Sequence, residues 1–101
     1  IMKAIWKNIC IADAAKEDLV YIEGNWYFPP RSVKQEFLQK SDTPYTCPWK
    51  GVCQYYNVGQ AGDWSADNAF SYPKPIPRAI EIVKKDFGGY IAFYKDVSVT
   101  E

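Results

Sequence analysis

Apolar residues recur mostly at every second position along this chain, the period of a half-buried strand rather than of a helix. Ala4–Ile11 places Ile5, Ile9 and Ile11 on one side and Trp6, Asn8 and Cys10 on the other. It reads as one strand, with Lys7 interrupting its apolar side. Leu19–Ile22 and Trp26–Phe28 flank Gly24-Asn25, residues that tolerate positive φ, and read as a hairpin whose turn begins at Glu23. Val52–Val58 carries Val52, Tyr56 and Val58 on one side and Cys53 and Tyr55 on the other, and Asn68–Tyr72 is a further strand. Between these two, Gly59–Asp63 reads as the most flexible loop. Tyr90–Tyr94 and Val97–Val99, joined at Lys95-Asp96, read as a closing hairpin.

Two stretches break the strand period. Ser32 and Gln35 have capping-box spacing and Val33 and Phe37 share a helical face, which predicts a short helix over Val33–Gln39. Ile76, Ile80, Val83 and Phe87 recur at helical spacing and Gly88-Gly89 stops them, which predicts a second. The expected architecture is mainly β (α+β), with two short helices, in one domain over residues 2–101.

Composition then narrows the chemistry. Lys plus Arg and Asp plus Glu are 12 each, so no net charge draws the chain to a nucleic-acid backbone or an anionic membrane, and neither partner is expected. Histidine is absent, which removes Ser-His-Asp and Cys-His catalysis and every His-ligated metal site. No apolar run has the length of a signal peptide core or a membrane span, so a cytoplasmic location is expected, with Met2 the initiator behind an extra Ile1. The cysteines, Cys10, Cys47 and Cys53, are odd in number and read as thiols. Cys47 and Cys53 lack the spacing and the second pair that a structural zinc site needs, so no metal and no cofactor are expected.

Three groups of residues could carry a function. Cys47, before Pro48 in a turn and close to Lys50, is the candidate nucleophile, although a small buried residue is the commoner role of a cysteine and no His base is present. Glu23, Arg31 and Lys50 are charges set among aromatics, suited to orienting a ligand or to a salt bridge from Glu23 to Lys50 or Arg31. Aromatics make up 17% of the chain, more than a small core needs, and Trp26, Tyr27, Trp49 and Tyr72 are the rings placed nearest a cavity.

Several ordered motifs resemble those of a small bacterial family, the domain of unknown function DUF427. They are Glu23–Pro30, Ser41-Asp42-Thr43, Cys47-Pro48-Trp49-Lys50-Gly51, Tyr55-Tyr56, Asn68–Tyr72 and Ala92-Phe93-Tyr94. The resemblance spans nearly the whole chain. It implies a β-tent, two small antiparallel sheets leaning together, similar to methionine sulfoxide reductase B and the ligand-binding domain of cereblon. The chain departs from the family at Trp26, where a histidine usually stands, and at Phe70, where tryptophan is common. Members often carry a nucleotidyltransferase label, but such chemistry needs paired carboxylates on a metal beside a phosphate cradle. Asp63 and Asp67, with Trp64 between them, and no Gly-rich loop leading into a helix, give that label little support.

The leading expectation is therefore a binding module. Its pocket between the sheets would take a planar or anionic metabolite with Glu23, Tyr27, Arg31, Trp49, Lys50 and Tyr72. The alternatives are a cysteine-dependent enzyme using Cys47 with Lys50, and an aromatic protein-interaction module.

Overall fold

A computed structural model describes the whole chain, Ile1–Glu101. Eleven strands and one α-helix follow in order: β1 (Met2–Trp6), β2 (Ile9–Ala14), β3 (Val20–Ile22), β4 (Asn25–Phe28), β5 (Leu38–Lys40), β6 (Thr46–Cys47), β7 (Gly51–Val52), β8 (Gln54–Gln60), β9 (Asp63–Ser71), α1 (Pro77–Val83), β10 (Ile91–Phe93) and β11 (Val97–Thr100). The strands form three antiparallel sheets, with orders β11-β1-β2, β3-β4-β10-β9-β8-β5 and β6-β7. The mainly-β expectation holds. No helix is long and apolar enough to cross a membrane.

The large sheet is buried on both faces. On one, Phe28, Val58, Ala69, Ile91 and Phe93 pack against Met2, Ala4, Trp6, Ile11 and Val97 of the small sheet. On the other, Tyr27, Tyr72 and Ala92 pack with Cys47, Cys53, Ala79 of α1 and Phe87. Period-two alternation produces this division directly: Tyr27 and Phe28 are adjacent on β4, Ala92 and Phe93 on β10, and each pair splits between the faces.

Five local expectations are corrected. Ala4–Ile11 is a hairpin rather than one strand, because Lys7 and Asn8 adopt φ of 45° and 66° and turn the chain. Gly59–Asp63 is a tight hairpin rather than a loose loop. Gln60 pairs with Asp63 across Ala61-Gly62, and a Cβ on Gly59 would lie 2.1 Å from the Asp63 carbonyl oxygen. Val33–Gln39 is not an α-helix, so there is one helix and not two. Two 3-10 turns, Pro30–Ser32 and Gln35–Phe37, frame Val33, which bridges to Ala12, while Lys34 N–H donates to the Ile11 carbonyl. The Ser32 hydroxyl donates backward to the Pro29 carbonyl, so the capping box never forms. The last two strands are not a hairpin: β10 joins the large sheet between β4 and β9, and β11 crosses to β1. Buried Asn68 anchors that crossing, its backbone carbonyl accepting from Tyr94 N–H and its side-chain oxygen from Asp96 N–H. The α-helix exists but ends early, at Val83, where Lys84 takes a left-handed cap.

Candidate functional site

Two hairpin tips meet at one end of the helix-covered face. In the first, β3 and β4 are joined by Glu23 and Gly24, with φ of 51° and 85°, so the turn begins at Glu23 as expected, and Asn25 already pairs with Ile22. Glycine takes this conformation freely, whereas at Glu23 it costs about 1 kcal/mol. In the second, Cys47 pairs with Gly51 and leaves Pro48, Trp49 and Lys50 as the tip. Gly51, at φ 113°, closes it in a conformation closed to other residues. Ile76 N–H donates to the Lys50 carbonyl at 3.0 Å and Cys53 N–H to the Tyr45 carbonyl at 2.9 Å, which ties the tip to the start of α1 and to its own base.

This geometry buries Lys50, whose side chain is only 7% exposed, and pairs its ammonium with the Glu23 carboxylate, itself 55% exposed. The Lys50 Nζ stands 5.1 Å from the Trp49 ring centre and 5.0 Å from that of Tyr72. A cation held between two rings and a carboxylate is stabilised without water. The hydrogen bond from Lys50 holds the Glu23 carboxyl below the ordinary glutamate range.

Lys50 forms part of the wall of a cleft of about 270 Å³, whose other lining residues are Asn25, Tyr45, Tyr55, Phe70, Tyr72 and Tyr94. Phe70 is its hub: perpendicular to Tyr94 at 5.2 Å between centres, and edge-on to Tyr55 at 6.2 Å and Tyr72 at 6.4 Å. Burial pushes the phenols of Tyr55, Tyr72 and Tyr94 up, so all three remain neutral hydroxyls. A larger groove, about 600 Å³, runs between β3 and α1 with Glu23 and Trp49 on its rim and Lys84 and Lys85 along it. We place the site at the smaller cleft because only there does a buried charge reach the wall.

Of the residues singled out in the sequence, Glu23, Trp49, Lys50 and Tyr72 come together. Tyr27 is beneath them, almost wholly buried and edge-on to Phe70 at 5.8 Å; burial, and after it the Glu23 charge, push its phenol up. Cys47 is buried in the core below the tip, and burial pushes the neighbouring Cys53 thiol up. Two residues lie elsewhere. Arg31 is exposed beyond the other end of β4, 3.9 Å from Asp18, since the 3-10 turn after Pro29 carries it away. Trp26 points to the opposite side of β4, where it packs against Tyr21 at 4.6 Å.

Asn25, Tyr45, Tyr55, Phe70 and Tyr94 were missed. Strand register held the signal for three of them: Tyr55 is directly opposite Phe70, Phe70 is opposite Ala92, and Tyr94 follows Ala92 by two. Asp63 and Asp67 do not form a carboxylate pair, since Asp63 bonds Lys7 at 2.8 Å and Asp67 accepts from the Thr43 hydroxyl at 2.7 Å. No group of three or more Cys, Asp or Glu side chains converges as a metal site anywhere in the fold.

A family model described as a domain of unknown function, DUF427, matches residues 2–101. No curated protein matches the chain.

Proposed function

This chain belongs to the DUF427 family, and we propose that its aromatic cleft binds a small planar ligand against the Lys50 ammonium. The observation that carries this reading is the burial of Lys50 at the wall of a ring-lined hollow. Stability alone gives no reason for such a lysine: replacing a buried ion pair by apolar side chains is often neutral or stabilising. A ligand does give one, because a fixed charge beside stacking surfaces sets both orientation and selectivity. Each ring contact with a flat ligand contributes roughly 0.5 to 1.5 kcal/mol. The volume suits a compound of one or two rings.

Burial of the Cys47 sulfur and engagement of Lys50 by Glu23 leave the cysteine-enzyme alternative without support. The separate bonding of Asp63 and Asp67 does the same for nucleotidyl transfer. The β-tent assignment, a cytoplasmic location and the absence of a nucleic-acid partner belong to the same proposal.

A thermal-shift screen of small planar compounds against the wild type, Lys50→Met and Phe70→Ala tests it. Bound ligand stabilises by RT ln(1 + [L]/Kd), about 2.7 kcal/mol at a hundredfold excess over Kd. Compounds that stabilise only the wild type are expected. Compounds that stabilise all three proteins equally, or none that stabilise any, would contradict the reading.

A further inference from the structure

We infer that the ligand of this cleft is an anion whose acidic group takes the place of the Glu23 carboxylate on the Lys50 ammonium. The inference rests on the reading of the cleft as a planar-ligand site and specifies its charge. The two members of the ion pair live in different surroundings, with side-chain exposures of 7% for Lys50 and 55% for Glu23. Lys50 is the one charged residue in the buried set, and Glu23 is its one hydrogen-bonding and ion-pairing partner. Apart from that carboxylate, its ammonium faces the rings of Trp49 and Tyr72.

Breaking the pair therefore has opposite consequences for its members. Glu23 stands on a hairpin tip, in a left-handed conformation, on the rim of the open groove rather than in the cleft. Swung outward, its carboxylate regains water and leaves no buried group behind. Lys50 has no such route, because an ammonium left unpaired among rings loses several kcal/mol. Glu23 can leave only as another anion arrives. A neutral planar ligand meets a pair of zero net charge and gains from the rings alone. A cationic ligand competes with an ammonium already seated on two of them. The exchange forms no covalent bond, and it admits a ring bearing a carboxylate or sulfonate.

Benzenesulfonate, benzoate and benzamide, titrated into the full chain by calorimetry, test this. Carbon-13 NMR of the Glu23 carboxyl during a pH titration of wild-type protein, with and without saturating benzenesulfonate, reads the exchange itself. Both anions are expected to bind at least about tenfold more tightly than benzamide. With the sulfonate bound, Glu23 should titrate higher, back in the ordinary glutamate range, because it has given up its bond to Lys50. Glu23→Gln, checked first for cooperative unfolding, should bind benzenesulfonate about tenfold more tightly than wild type. Benzamide binding as tightly as benzoate, or Glu23 titrating unchanged beside bound sulfonate, overturns the inference and leaves the planar-ligand reading standing. Binding of none of the three removes both.

Discussion

Tyr27 and Phe28 are neighbours on β4 and face opposite ways, into two cores built by the same strands. Phe28 meets Phe93 and the small sheet, where nearly every buried side chain is hydrocarbon. Tyr27 meets a phenol, thiols and, at the sheet's end, the charge of the Glu23 carboxylate. One face closes completely, while the other stops short at two hairpin tips and leaves a cleft. A single sheet can thus keep its stability on one side and its chemistry on the other, because alternation lets each be composed separately.

Truncating one ring on each face should separate those roles most sharply. Phe28→Ala, in the closed core, is expected to cost about 3 to 5 kcal/mol in denaturant unfolding while the folded fraction keeps its affinity. Phe70→Ala, partly exposed in the cleft, should cost less and lose ligand binding. Equal losses of both properties in both variants would mean that the faces are not independent.

The ion pair offers a smaller contrast. Glu23→Ala leaves a buried ammonium without its partner and should destabilise by about 1 to 3 kcal/mol. Lys50→Met fills the same space and frees an exposed carboxylate, so a cost below about 1 kcal/mol is expected. The reverse order of these two costs would place the buried member of the pair on the wrong side.

Acid should expose the same asymmetry more gently. The Lys50 bond lowers the Glu23 carboxyl below the ordinary glutamate range, so its contribution is fully present above that range and fades as pH falls through the lowered folded value. Asp67, lowered by the hydroxyls of Ser41 and Thr43, has the same sign. Urea unfolding at pH 7, 5 and 3 should therefore show falling stability, and Glu23→Gln should flatten the decline without abolishing it. Arg31→Ala is the smallest change expected, within about 0.5 kcal/mol and without effect on binding, since its contact with Asp18 is exposed.

The sequence made the strands, the mainly-β class and the meeting of Glu23 with Lys50, Trp49 and Tyr72 legible, because alternation and turn residues are local signals. What it hid was set by tertiary pairing. Lys7-Asn8 turns without a glycine, and Val33 is held extended by Ala12 despite its helical spacing. The Val97 strand left its apparent hairpin partner because Asn68 redirects the chain. Arg31 was drawn into the site by nearness in sequence, and Tyr55, Phe70 and Tyr94 were left out by distance in sequence. Cross-strand register, which single-chain periodicity does not specify, decides both.

Chemical-shift mapping of benzenesulfonate on nitrogen-15-labelled protein addresses the site most directly. Saturable shifts are expected to concentrate at Asn25, Lys50, Tyr55, Phe70, Tyr72 and Tyr94, with Glu23 moving as its carboxylate is released. Shifts centred instead on the Arg31 surface or along the Lys84-Lys85 groove, with the Lys50 surroundings unchanged, would contradict it.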